Sequence, residues 1–105
     1  MTTSIMNTAG YPADHHTTMQ QIGSGNLMAC GARHFVHDNP NGLLMFRVGA
    51  ERSLRKVMVR LMPNDTYSVE VGKTNRKTME YVVEDQEHGI YADQVGASVR
   101  RLGDR

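Results

Sequence analysis

RKVMVRLMPNDTYSVEV, residues 55–71, carries the period that decides the architecture. Val57, Val59 and Leu61 fall at every second position with Lys56, Met58 and Arg60 between them, and Tyr67, Val69 and Val71 repeat the pattern after a break. Successive side chains of a strand point to opposite faces, so each run reads as a strand with one apolar side. The break, Pro63-Asn64-Asp65-Thr66, consists of turn formers. So short a connection makes the pair an antiparallel hairpin, because a parallel pair needs a crossover of about a dozen residues or more.

The same period extends outward. HFVHD (34–38) and LLMFRV (43–48) flank NPNG, where Pro40 suits the second turn position and Gly42 can take a positive φ, which predicts another hairpin. After the glycine-led loop GKTNRK (72–77), TMEYVV (78–83) reads as a further strand. TTMQQIG (17–23) predicts a short helix, with Thr17 and Gln20 as a capping box and Gly23 as its stop. Residues 23–33, GSGNLMACGAR, carry three glycines close together and fit no one state.

The closing stretch GIYADQVGASVRR (89–101) reads as a helix with Asp93 in its first turn, Arg100 and Arg101 in its last, and Gly103 just beyond. Its inward stripe mixes Val95, Val99 and Leu102 with Ala92 and Gly96, so its axis is expected to lie close to Val57, Val59, Val69 and Val71. The expected fold class is α+β: an antiparallel sheet of four or five strands, a short N-terminal helix, and a C-terminal helix on one face. Residues 1–13, polar and aperiodic, are expected to form a flexible N-terminal arm, and 14–105 a single domain. The sheet face opposite the helix is then expected to be free for recognition.

Composition narrows the function classes. Among 105 residues there are no Trp, two Phe and eight Met, and the apolar share suffices for a core. Cys30 is the one cysteine, so no intrachain disulfide forms and a reducing compartment is expected. Neither a signal peptide nor a membrane span is predicted, since the first 32 residues hold no Lys or Arg and no apolar run. The expected location is the cytoplasm.

Net charge is +1, but the charges are segregated. Residues 51–77 hold seven basic and three acidic side chains, whereas 78–94 hold five acidic and no Lys or Arg. The candidate binding residues are Lys56, Arg60, Lys73, Arg76 and Lys77, together with Met58 and Met62, read as exposed and adaptable. Such cations suit phosphates, but the net charge is nearly zero and only Tyr81 and Tyr91 offer exposed rings in the second half, which makes a weak platform for single strands. Glu84, Asp85 and Glu87 read as a solvated loop cluster.

No cofactor, metal or catalytic residue is assigned. Cys30, His34 and His37 lack the paired short spacings of a zinc site, and on a strand the two histidines point apart. The G-x-G of GSGN lacks the third glycine of a dinucleotide fingerprint. Asn64-Asp65-Thr66 is formally a glycosylation sequon but reads as a turn.

Three segments in order, MQQIGSGNLMACGARHF, DTYSVEVGK and GIYADQV, resemble a family of small proteins encoded by bacteriophages and prophages, over about residues 17–98. That pattern runs Q-L/I-G, then G-A-K/R, then D-T-Y-x-V, then V-Y-A-D, with Ile90 here in place of the usual Val. The resemblance implies an accessory protein acting in an infected or lysogenic bacterium, and supplies no catalytic residues. The leading expectation is a non-enzymatic protein that binds a host or phage protein, such as a defence component or a regulator. Nucleic-acid binding through the basic strand and loop is the alternative, and small-ligand binding near GSGN the third; self-association is compatible with each.

Overall fold

The computed structural model describes residues 4–7, 10–49 and 54–103. Helices α1 (His15–Ile22) and α2 (Ser24–Ala29) precede strands β1 (Arg33–Asp38), β2 (Leu43–Val48), β3 (Arg55–Leu61), β4 (Tyr67–Thr74) and β5 (Tyr81–Ile90), and α3 (Val95–Gly103) closes the chain. The strands form one sheet in the order β1-β2-β3-β4-β5, each antiparallel to the next. The fold class is the α+β arrangement expected, with five strands.

Register explains the core. Val57 stands opposite Phe46 and Val71, and Val59 opposite Leu44 and Val69. These residues form one continuous apolar face. Ile22, Leu27, Val95, Val99 and Leu102 of the helices cover it, and each such fully buried side chain contributes about 1.5–3 kcal/mol. In the β3–β4 turn the positive φ falls on Asp65, at 65°, while Asn64 Oδ1 accepts from the Thr66 hydroxyl at 2.7 Å. Asp is among the non-glycine residues that tolerate that conformation best.

The helices depart from expectation in three ways. α1 begins at His15, not behind a Thr17 cap, because Asn39 Oδ1 accepts from the His15 N–H at 3.0 Å. The unassigned glycine-rich stretch contains α2, set off by Gly23 at φ 91° and followed by Gly31 at φ 68°. α3 starts and ends later than 89–101: Gly89 and Ile90 finish β5, Asp93 sits in the turn ahead of the helix, and Gly103, expected just beyond the helix, is its last residue.

The small residues of α3 serve the helices more than the sheet. A Cβ on Gly96 would run into the carbonyl oxygen of Ile22 and lie 2.5 Å from Asn26 Nδ2. One on Gly103 would lie 2.9 Å from Cys30 Cβ. Val95, Val99 and Leu102 face the sheet as expected, and the glycines face α1 and α2.

The acidic cluster is also relocated. Glu84, Asp85 and Glu87 lie in β5, a ten-residue edge strand, not in a loop. Arg55 Nε donates to Glu84 Oε1 at 2.6 Å; Ser98 Oγ and Arg101 Nε donate to Glu87 at 2.7 and 2.8 Å. Charges along an edge strand also discourage pairing with another chain.

The second face is not free. Ser4 and a short 3-10 turn, Ile5–Asn7, lie across it. Glu70, fully buried at its centre, accepts from Ser4 Oγ at 2.7 Å, Ile5 N at 2.9 Å, Tyr81 Oη at 2.8 Å and Gln86 Nε2 at 2.6 Å. Ile5, Leu43 and Met58 form a small second core beside it. Of the arm expected over 1–13, residues 1–3, 8 and 9 lie outside the described residues; Tyr11 N donates to Leu61 O and Ala13 N to Asn39 O, at 2.8 and 2.9 Å. No helix among the described residues is long and apolar enough to cross a membrane.

Candidate nucleic-acid interface

The sheet topology brings the β2–β3 and β4–β5 connections to the same end, and the cations follow. Lys56, Lys73 and Arg76 line a recess of about 380 Å³ together with Arg47, Arg55, Leu54, Thr74 and Met79. An adjoining open recess of about 610 Å³ adds Lys77, Asn75 and Val82 to Lys73 and Arg76, with Glu84. Among the described residues lining the two recesses, six cations meet one carboxylate, Glu84, which Arg55 engages, while exposed Glu80 lies in the same turn.

Of the seven residues singled out in the sequence, four meet here: Lys56, Lys73, Arg76 and Lys77. Arg60 does not. It is 4% exposed, and its Nη1 donates to the carbonyls of Ile5 at 2.5 Å and Met6 at 3.2 Å. Burial lowers its pKa, opposed by the charge of Asp38. Met58, read as exposed, is 0% exposed, because Ile5 and Leu43 close over it. Met62 is half-buried in the β3–β4 turn, at the opposite end of the sheet. The sequence reading passed over Arg47 and Arg55. The signal was present, since the β2–β3 hairpin sets Arg47 directly opposite Lys56.

The β4–β5 turn is held in shape by Asn75. Its Oδ1 accepts from Lys77 N at 2.9 Å and Thr78 N at 3.4 Å, its N–H donates to Glu80 O at 2.7 Å, and its carbonyl accepts from Met79 N at 2.7 Å. Such an Asx arrangement substitutes a side chain for backbone pairing and orders the tip. Met79 closes the turn at φ 60° with its side chain 77% exposed.

Tyr81 supports the site from beneath. Its ring lies where a Gly72 side chain would be, its hydroxyl bonds Glu70, and Lys56 Nζ sits 5.6 Å from the ring centroid. Burial, then the bond to Glu70, pushes the phenol pKa up, so it remains a neutral donor. Neither tyrosine offers a stacking face at this end: Tyr81 is engaged, and Tyr91, 63% exposed, follows the far end of β5.

The remaining chemistry-bearing residues are placed elsewhere. His15 stacks on His37 with ring centroids 3.7 Å apart, and buried Cys30 donates to Leu27 O at 3.5 Å. No three His, Cys, Asp or Glu side chains among the described residues are grouped as a metal requires. Gly23 and Ser24 of the GSGN stretch line an open recess of about 510 Å³ with His16, Met19, Gln20 and Leu27. Compared with family models, curated proteins and solved structures, the chain matches none.

Proposed function

We propose that this chain binds nucleic acid through the basic end of its sheet, as a binding protein without catalysis of its own. The observation that carries the reading is the convergence of Arg47, Arg55, Lys56, Lys73, Arg76 and Lys77 from three strands and one ordered turn. Each phosphate neutralised by such a cation releases counterions, so a near-neutral protein with one concentrated basic end can still bind a polyanion in a salt-dependent way. An accessory role in the cytoplasm of an infected or lysogenic bacterium, which the phage-like pattern of residues 17–98 would imply, belongs to the same proposal.

The test is retention of labelled DNA or RNA at about 50 mM salt, repeated as salt rises. Binding is expected, with log affinity falling linearly against log salt. Lys73→Glu combined with Arg76→Glu is expected to weaken it at least tenfold, all eight residues from Lys73 to Glu80 being exposed so that the fold is left intact. Absence of binding at the lowest salt overturns the reading. A host or phage protein as partner is the second reading, favoured by Met79 and Val82, 77% and 52% exposed beside the cations. Binding indifferent to salt but lost on Val82→Asp would favour it.

A further inference from the structure

We infer that the nucleic acid recognised is duplex DNA, entered at its major groove by the β4–β5 hairpin; the inference rests on the reading above. β3 pairs with β4 only as far as Lys56 opposite Gly72, whereas β4 and β5 continue to pair through Lys73 with Val82 and Thr74 with Tyr81. β3 begins at Arg55, one residue beyond Lys56, so the last rung, Thr74 with Tyr81, and the turn extend past its first residue as a two-stranded ribbon. Residues 73–80 are all exposed.

A two-stranded ribbon is what a major groove about 12 Å wide admits, with strands about 4.8 Å apart. The charges are distributed as such an entry requires. Arg76, Lys77, Met79 and Glu80 stand at the tip, where base edges would lie: Arg or Lys suits the acceptor pair of guanine, an apolar side chain the thymine methyl, and a carboxylate the cytosine amino group. Arg47, Arg55 and Lys56 stand at the base of the ribbon, on β2 and β3, where the flanking phosphates pass. Met79, 77% exposed, borders the cation-lined recess at this end.

The alternatives fit less well. Single strands are held by stacking on aromatic rings, and among the described residues this end offers none, Tyr81 being committed to Gly72 and Glu70. A-form RNA duplexes have a major groove too deep and narrow for side chains to read.

The test uses the whole chain and three fluorescent probes of one mixed sequence of about 20 nucleotides: duplex DNA, the single DNA strand, and duplex RNA. Duplex DNA is expected to bind at least tenfold more tightly than the others, and to show guanine N7, a major-groove atom, protected from dimethyl sulfate. Met79→Asn, which tolerates the positive φ, is expected to weaken duplex binding three- to tenfold with an unchanged melting temperature. Equal or tighter binding of the single strand or of RNA, or protection of adenine N3 in place of guanine N7, overturns the groove assignment while leaving the basic end as the binding site. Failure of all three probes overturns both.

Discussion

At Gly96 two effects of known sign compete. Alanine gains about 1 kcal/mol over glycine in a helix interior. The added methyl would overlap the Ile22 carbonyl oxygen, a backbone atom that cannot rotate aside, and crowd Asn26 Nδ2, which itself donates to that carbonyl at 2.8 Å. Overpacking of this kind costs about 1–3 kcal/mol. Gly96→Ala is therefore expected to be net destabilising, by up to about 2 kcal/mol, as a lowered midpoint in urea with an unchanged slope. A higher midpoint would show that α1 can retreat from α3. That Gly96 matters was legible from the small stripe of residues 92–102; that it faces another helix was not, since the stripe says how close a neighbour comes and not which neighbour it is.

Among elements, β5 shows most clearly where sequence runs short. β3 and β4 alternate apolar and polar residues because one face of each is core, so their period announces them. β5 is an edge strand whose positions 84, 85 and 87 carry acids, and no apolar period survives. What holds it is tertiary: the paired β4, Arg55 on Glu84, and Ser98 with Arg101 on Glu87. Arg101's guanidinium keeps the Glu87 carboxyl below the usual carboxylate range, against the opposing effect of burial, with Ser98 assisting. A depressed folded-state pKa adds stability at pH values above the unfolded carboxylate's, and that stability is lost as pH falls through the folded value. Arg101→Ala is thus expected to lower the melting temperature at pH 7 by a few degrees or less, the pair being partly exposed, and to flatten its fall between about pH 5 and 3. Parallel melting curves for the two proteins would assign the tether no such role.

For the molecule as a whole, charge segregation along the chain became charge segregation in space. A meander returns every second connection to the same end, so cations flanking the β2–β3 and β4–β5 connections meet without any long-range device. That much of the site was readable from the positions of Lys56, Lys73, Arg76 and Lys77. The fate of Arg60 and Met58 was not, because it depends on residues 4–7, which show no period and are placed by what the finished sheet offers: the Glu70 carboxylate, the Arg60 guanidinium and the apolar seat of Ile5 against Leu43 and Met58.

That placement orders events in time. Ser4 and Ile5 bond a carboxylate 66 and 65 positions downstream, on a strand whose second neighbour, β5, also contributes Tyr81 and Gln86. Closing so long a loop is entropically unfavourable until the surface that rewards it exists. Ser4 and Ile5 are then expected to find their seat only after the sheet has formed. In a refolding experiment with pulsed hydrogen exchange, the Ile5 amide should gain protection after those of β3 and β4.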